Sequence, residues 1–176
     1  MKLSQSADLN NAELIKHLGR TILLAPSAAW PLKRWPKEYW ASLIKSLPEK
    51  KFILLGGPED EFLEDLEKIA PHRVKNMAGK ATWVETTQLI FHAQLLISND
   101  TGTLHLADVL GKPSIALIGP TAFGYPSFKK SLVLETELPC KPCTKDGRGW
   151  CKNSIYLKCL YDIKPELVAK KANELT

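Results

Sequence analysis

Long apolar segments are missing from this chain of 176 residues. Its apolar runs have the length of single strands, which is too short for a helix to cross a bilayer. The first twenty residues also lack the apolar core of a secretory signal peptide. These absences predict a cytoplasmic protein with no membrane-spanning segment.

Cysteine is absent from the first 139 residues, and all four cysteines follow, at Cys140, Cys143, Cys151 and Cys159. In a cytoplasmic protein we expect thiols or metal ligands before disulfides. The first pair has the spacing of a zinc knuckle and the second pair does not. Three alternatives stay open. The four thiolates hold a structural zinc, or they are free thiols packed under the last helix, or they oxidise to disulfides in the purified protein.

Acidic residues are fewer than basic ones, and the net charge is +5 with an isoelectric point of about 9.0. This balance suits an anionic ligand or an anionic membrane face. Basic and acidic residues alternate along the chain, and no helix is rich in Lys and Arg. The sequence therefore argues against a nucleic-acid partner. The Walker and G-x-G-x-x-G fingerprints of nucleotide sites are missing as well.

Strand and helix patterns alternate along a chain of single-domain length. Near-continuous apolar strands predict a doubly wound parallel sheet with helices on both faces. Predicted strands are 21–25, 52–55, 73–76, 95–97, 114–118 and 132–134. Five helices are predicted. Three have the ranges 36–47, 101–110 and 165–175, and two others begin at Pro58 and at a Thr82–Glu85 capping box. In the last helix, the side chains predicted to point inward are Leu167, Val168, Ala172 and Leu175.

Small and polar residues follow four of the predicted strands, at 26–28, 56–57, 98–102 and 119–121. The carboxyl ends of parallel strands share one edge of the sheet, where such folds bind ligands. We therefore expect the four clusters to surround one site.

The densest of these clusters precedes a predicted helix. Thr101 and Gly102 fall at its N-terminus, where free amides and the helix dipole attract anions. Asp100 is either a simple N-cap or an acceptor for a sugar hydroxyl. His105 is either a core histidine or a ligand contact one turn further on.

The segment 97–121, ISNDTGTLHLADVLGKPSIALIGPT, resembles the nucleotide-sugar signature of the family-nine glycosyltransferases, the ADP-heptose:lipopolysaccharide heptosyltransferases. Four further segments resemble motifs of that family in the same order. They are KRWP at 33–36, LLGGPEDE at 54–61, NMAGKATWVETTQLI at 76–90 and the cysteine-bearing tail at 139–163, which is similar to the heptosyltransferase II branch.

The resemblance implies a GT-B architecture, of which this chain corresponds to the C-terminal half. Residues 1–20 would be a linker or helical lead-in. Residues 21–176 would form the Rossmann-like domain that binds the nucleotide sugar, with a Cys-rich loop at 136–160. The family's acceptor site and its general base, a carboxylate, belong to the N-terminal half, so we expect no activity from this chain alone.

Roles for individual residues follow from the same resemblance. Thr101 and Gly102 would hold the diphosphate of ADP-heptose, and Ser27 would contact phosphate or sugar. Lys33 would neutralise the charge that grows on the leaving ADP. Asp100 and His105 would meet the sugar or the diphosphate.

Two further residues have alternatives of similar weight. Glu59 would accept hydrogen bonds from the ribose hydroxyls, or it is an acid in the first turn of a helix. Met77 would contact the adenine, or it is a core methionine. The family's chemistry requires no metal or other cofactor.

The resemblance predicts inverting transfer of a heptosyl group to the lipid-linked saccharide of a lipopolysaccharide core. Such an acceptor would bring the complete enzyme to the inner face of the cytoplasmic membrane as a peripheral protein. Alternatives are a non-catalytic nucleotide-binding remnant, a partner-dependent subunit, and a basic nucleic-acid module built on the Cys-rich loop.

Overall fold

The computed structural model describes residues 18–176. Six strands form one sheet, and their bounds are β1 Thr21–Ala25, β2 Lys51–Leu54, β3 Val74–Asn76, β4 Leu95–Asn99, β5 Ser114–Ile118 and β6 Leu132–Glu135. The helices are α1 Lys37–Ser46, α2 Phe62–Ile69, α3 Trp83–His92, α4 Gly102–Val109, α5 Lys158–Tyr161 and α6 Pro165–Leu175. Short 3-10 turns cover Leu18–Arg20 and Pro31–Lys33.

The strands lie in the order β3-β2-β1-β4-β5-β6, and every neighbouring pair is parallel. This is the order of a doubly wound Rossmann sheet, so the predicted fold class is confirmed. The order reverses between β1 and β4, where the loops after the two strands diverge to opposite faces. A crevice opens there, and the candidate functional site lies beside it.

The central strands β1, β4 and β5 are buried along their whole length. Alternate side chains point to opposite faces of the sheet, so each strand contributes to two cores. In β1, Ile22 and Leu24 join the larger core, which packs against α1, α2 and α6, while Leu23 and Ala25 join the smaller one beside α3. Burial on both faces explains why the strands are apolar runs without polar alternation.

Helix α1 forms within the predicted range 36–47 and buries one apolar face, on which Trp40, Leu43 and Ile44 are fully buried. Trp35, just before the helix, packs edge-on against Trp40 with ring centroids 5.0 Å apart. Its indole nitrogen donates to the Ile163 carbonyl at 2.9 Å. These contacts fix the loop between β1 and α1 to the start of the last helix.

Other helix predictions have mixed outcomes. The capping box is confirmed, since the Thr82 hydroxyl accepts from the Glu85 amide and the Glu85 carboxylate accepts from the Thr82 amide. The helix expected from Pro58 begins only at Phe62, because the Asp60 carboxylate binds the Gly57 amide and closes a turn first. The prediction that Leu167 points inward is wrong, because its side chain is 42% exposed. Ala169 is buried on this helix instead.

The proposed lead-in at 1–20 falls mostly outside the described residues. Within the described part, Leu18 is buried in the smaller core beside α3. No helix between residues 18 and 176 has the length and apolarity needed to cross a bilayer.

Candidate functional site

A cavity of about 640 Å³ lies at the carboxyl edge of the sheet, beside the point where the strand order reverses. Loops that follow β1, β2, β3 and β4 line it, so three of the four predicted clusters take part, at 26–28, 56–57 and 98–102. The predicted cluster at 119–121 does not line the cavity and reaches the site only through Thr121, which bonds to Asp100. Five predicted site residues line this cavity, namely Ser27, Glu59, Met77, Thr101 and Gly102. The other three, Lys33, Asp100 and His105, form a cluster next to Thr101.

The N-terminus of α4 forms one wall of the cavity. Thr101 is the N-cap residue, and no side chain caps the helix. The first intrahelical hydrogen bonds come from Leu104 and His105 to the Thr101 carbonyl, so the amides before Leu104 have no acceptor within the helix. A Cβ built on Gly102 would meet only the Trp83 ring, at 3.6 Å. The open amides and the helix dipole make this wall suited to an anion.

Asp100 is buried and gathers three side chains. Its Oδ2 atom lies 2.8 Å from Lys33 Nζ and accepts a hydrogen bond from the Thr121 hydroxyl at 2.9 Å. Its Oδ1 atom lies 3.7 Å from His105 Nε2. The interpretation of Asp100 as the N-cap is therefore wrong, because Thr101 occupies that position and the carboxylate faces Lys33.

His105 is not a core histidine, because 51% of its side chain is exposed. The ring lies over the backbone of Gly124, in the loop that follows β5. His105 therefore joins the loop after β5 to the cluster around Asp100.

Ser98 and Asn99 have structural roles that no sequence motif indicated. The Asn99 side chain accepts from the Trp35 amide at 3.1 Å and donates to the Pro26 carbonyl at 2.7 Å. The Ser98 hydroxyl lies within 3.3 Å of the Thr101 and Thr103 hydroxyls. The polar cluster after β4 thus holds the loops of the site in place as well as lining it.

Among the lining residues that were not predicted as site residues, three have charged or aromatic side chains, namely Arg34, Asp60 and Trp83. Arg34 is tied to the loop after β1, since its Nε donates to the Ala28 carbonyl at 2.8 Å. Arg34 lies beside Lys33 in the KRWP segment, and Asp60 lies beside Glu59 in the LLGGPEDE segment. Their place next to predicted site residues is the sequence signal that could have identified them. Nothing in the sequence brings Trp83 to the N-terminus of α4.

The predicted side chains of the cavity differ in how they are held. The Ser27 hydroxyl is buried and has no hydrogen-bond partner among the described residues. The Glu59 carboxylate folds back over the backbone of Gly57. Met77 is partly buried against the smaller core and also lines the cavity, while its contact with an adenine stays a prediction.

The four cysteines are free thiols. Cys159 is buried, and burial raises the pKa of its thiol to about 11. Two sulfurs accept hydrogen bonds, Cys140 from the Asn153 amide group and Cys151 from the Leu157 backbone amide. Between residues 18 and 176, no group of three or more His, Cys, Asp or Glu side chains is arranged to hold a metal ion. The zinc alternative thus has no site in the described structure.

Comparison with known proteins adds an independent observation. The family model "Glycosyltransferase family 9 (heptosyltransferase)" matches residues 2–149. The chain belongs to this family. The predicted resemblance is thereby confirmed.

Individual members of the family show how much of such a protein is present. Lipooligosaccharide heptosyltransferase 2 of Haemophilus influenzae is 33% identical over 157 residues, which are 82% of this chain and 44% of the relative. The Campylobacter jejuni protein of the same name is 28% identical over 185 residues, which are 99% of this chain and 57% of the relative. This chain therefore spans about half the length of these relatives.

A solved structure agrees with the fold. The E. coli ADP-heptose lps heptosyltransferase II superposes with a TM-score of 0.75 at 24% identity, over 99% of this chain and 52% of the other. At this identity the likeness concerns the fold. Together with the family match, it agrees with the prediction that the chain is one half of a two-domain glycosyltransferase.

Replacing Asn99 by alanine tests its role in the site. Asn99→Ala leaves the Trp35 amide and the Pro26 carbonyl buried without partners, so we expect the free energy of unfolding to fall by about 2 to 4 kcal/mol. Urea denaturation measures the change. The control is Asn173→Ala on the exposed face of α6, which should change stability by no more than about 0.5 kcal/mol. Equal effects of the two variants would contradict this role.

The raised pKa of Cys159 predicts an unreactive thiol. Because of this pKa, its thiolate fraction at pH 8.5 should be about a hundredfold below that of an ordinary cysteine. Only the thiolate attacks alkylating agents, so Cys159 should react more slowly than the other cysteines. Alkylation with iodoacetamide, followed by mass spectrometry of the peptides, should label Cys140, Cys143 and Cys151 first. In urea all four should react alike. Early labelling of Cys159 in the folded protein would show that its thiol is not protected.

Proposed function

We propose that this chain is the donor-binding half of a heptosyltransferase. It binds ADP-heptose and supports inverting transfer of the heptosyl group to the saccharide of a lipopolysaccharide or lipooligosaccharide acceptor. The observation that carries this proposal is the cavity of about 640 Å³ at the N-terminus of α4, which we call the donor cavity. Five predicted site residues line it, and Lys33 adjoins it. Relatives named as lipooligosaccharide heptosyltransferases support the reaction class.

The diphosphate of the donor would bind at the N-terminus of α4. The amides of Gly102 and Thr103 supply donors there, and the absence of a side chain on Gly102 leaves room for phosphate oxygens. The buried Ser27 hydroxyl supplies another polar group in the same cavity. Glu59 and Met77 line the cavity further along, where we place the ribose and the adenine.

In the transfer step, a hydroxyl oxygen of the acceptor forms a bond to the anomeric carbon of heptose. The bond from that carbon to the phosphate oxygen breaks, and its electron pair stays on ADP. The proton of the acceptor hydroxyl goes to the carboxylate base that we expect in the acceptor-binding half.

Lys33 would compensate the charge that appears on the leaving phosphate. An ammonium group has three N–H donors, and the salt bridge to Asp100 occupies one of them. Two donors remain for phosphate oxygens. Because Asp100 and Thr121 fix its position before the reaction, the cation needs no rearrangement as charge develops.

The acceptor would be a lipid-linked saccharide, bound largely by an N-terminal half. Such an enzyme would act in the cytoplasm, at the inner face of the cytoplasmic membrane. The net positive charge of the chain supports contact with an anionic surface of this kind.

Binding of ADP tests the donor cavity directly. We expect Gly102→Ala to keep the melting temperature but to weaken ADP binding by about tenfold or more, because the added methyl group obstructs the approach of phosphate to the amides. Isothermal titration calorimetry measures the affinity. The control is Gly19→Ala, since a Cβ there would meet no atom of residues 18–176 within 4 Å. Failure of the unaltered chain to bind ADP would overturn the proposal.

Transfer in the presence of an acceptor-binding half tests Lys33. The chain is mixed with a separately produced N-terminal half, and heptosyl transfer from ADP-heptose is measured. We expect Lys33→Met to lower the rate about a hundredfold, the usual loss when one donor to a developing oxyanion is removed. The control is Lys37→Met, an exposed lysine paired with Asp65.

The same measurement decides between the alternatives. An unchanged rate in the Lys33 variant would exclude its role in charge compensation. Absence of transfer by the unaltered mixture, with ADP binding intact, would favour a non-catalytic remnant.

A further inference from the structure

A second cavity, of about 520 Å³, opens between the 3-10 turn Pro31–Lys33 and the Cys-rich loop. It shares no lining residue with the donor cavity. Three aromatic side chains line it, namely Trp30, Trp150 and Tyr156, and Trp150 is 79% exposed. Large aromatic side chains left in solvent around one concavity mark a binding surface, because their burial is favourable only when a ligand covers them.

The charges in the segment 144–156, part of which lines this cavity, are mostly positive. Lys145, Arg148 and Lys152 are exposed in the segment 144–156, where Asp146 is the one acidic residue. Arg148 Nε lies 3.0 Å from Asp146 Oδ2, and its guanidinium stands 5.1 Å from the centre of the Trp30 ring. The two contacts hold the guanidinium in the wall of the cavity while 68% of the side chain stays exposed.

The cavity begins beside the Lys33–Asp100 pair. Gly147 has a φ of +95°, and a Cβ built on it would lie 2.8 Å from Lys33 Cγ and 3.0 Å from Trp30 Cβ. The Cys-rich loop therefore presses its backbone against the stem of Lys33. A molecule in this cavity would have one end next to the place where the proposed transfer occurs.

We infer that this cavity is an acceptor subsite for a saccharide that carries carboxylate or phosphate groups. Aromatic rings present apolar faces to the C–H faces of sugar rings, and Trp and Tyr combine such a face with a polar group. Arg148 and the neighbouring lysines supply charge-assisted hydrogen bonds to acidic substituents. The identity of this saccharide as the acceptor rests on the proposed function.

This subsite would place part of acceptor recognition on the donor-binding half. The acceptor hydroxyl has to reach the anomeric carbon beside Lys33, so its neighbouring sugar units must pass close to the Cys-rich loop. The concave shape and the polar lining by Arg148 and Ser154 favour a saccharide over a lipid surface as the occupant.

The test measures binding of a water-soluble, deacylated lipooligosaccharide core to this chain by isothermal titration calorimetry. We expect Trp150→Ala and Arg148→Gln each to weaken binding by about tenfold or more, as the loss of an anchoring Trp or Arg typically does. The matched control is Phe91→Ala, an exposed aromatic residue on α3, which should bind the saccharide like the unaltered chain. Maltoheptaose, which is neutral, should bind much more weakly than the anionic core.

Two further measurements distinguish this subsite from the donor cavity and from a membrane-binding surface. ADP affinity should be unchanged in Trp150→Ala. If the proposed donor site is wrong, the unaltered chain does not bind ADP; if only this subsite is wrong, the chain binds ADP but not the anionic core. Sedimentation with vesicles of equal parts phosphatidylcholine and phosphatidylglycerol measures membrane binding. The inference is overturned if the chain binds no anionic core, if Trp150→Ala and Phe91→Ala bind it equally, or if Trp150→Ala loses vesicle binding alone.

Discussion

The site depends on the two hydrogen bonds of the Asn99 side chain. Asn99 ends β4, and its amide reaches the loop after β1 at Pro26 and again at Trp35. Because β1 and β4 are neighbours on either side of the reversal in strand order, their following loops leave in different directions. A fully buried amide that bonds to both segments of the β1 loop sets the distance between that loop and the N-terminus of α4. Lys33 and Thr101 are therefore brought to the same opening.

A buried carboxylate is the second constraint, and it links the structure to the proposed chemistry. Removing the Asp100 charge from water is unfavourable unless a cation and hydrogen bonds compensate it. Lys33 and Thr121 do so, and they come from the loops after β1 and β5. The same pairing that satisfies Asp100 holds the Lys33 ammonium group in one position. A structural requirement of the fold thus supplies a cation fixed beside the proposed diphosphate site.

The Cys-rich loop extends this arrangement without a metal site in the described structure. It has no strand of its own between β6 and α5, and it packs against Lys33 through Gly147 and against the core through Cys159 and Leu157. One side of the loop therefore belongs to the interior. The other side exposes Trp150, Tyr156 and several basic residues, a division that is typical of a loop that presents a binding surface on a rigid scaffold.

Much of the fold was readable from the sequence, because apolar runs of strand length between amphipathic helices specify a parallel sheet, and local signals such as the Thr82 capping box fix helix ends. Polar clusters after four of the strands predicted the edge at which the site lies. Tertiary structure alone decided that Asp100 pairs with Lys33, that His105 is exposed, and that Trp30 and Trp150 share a cavity. These outcomes depend on which loops meet in space, and contacts between residues more than sixty positions apart leave no periodic signal in a single sequence.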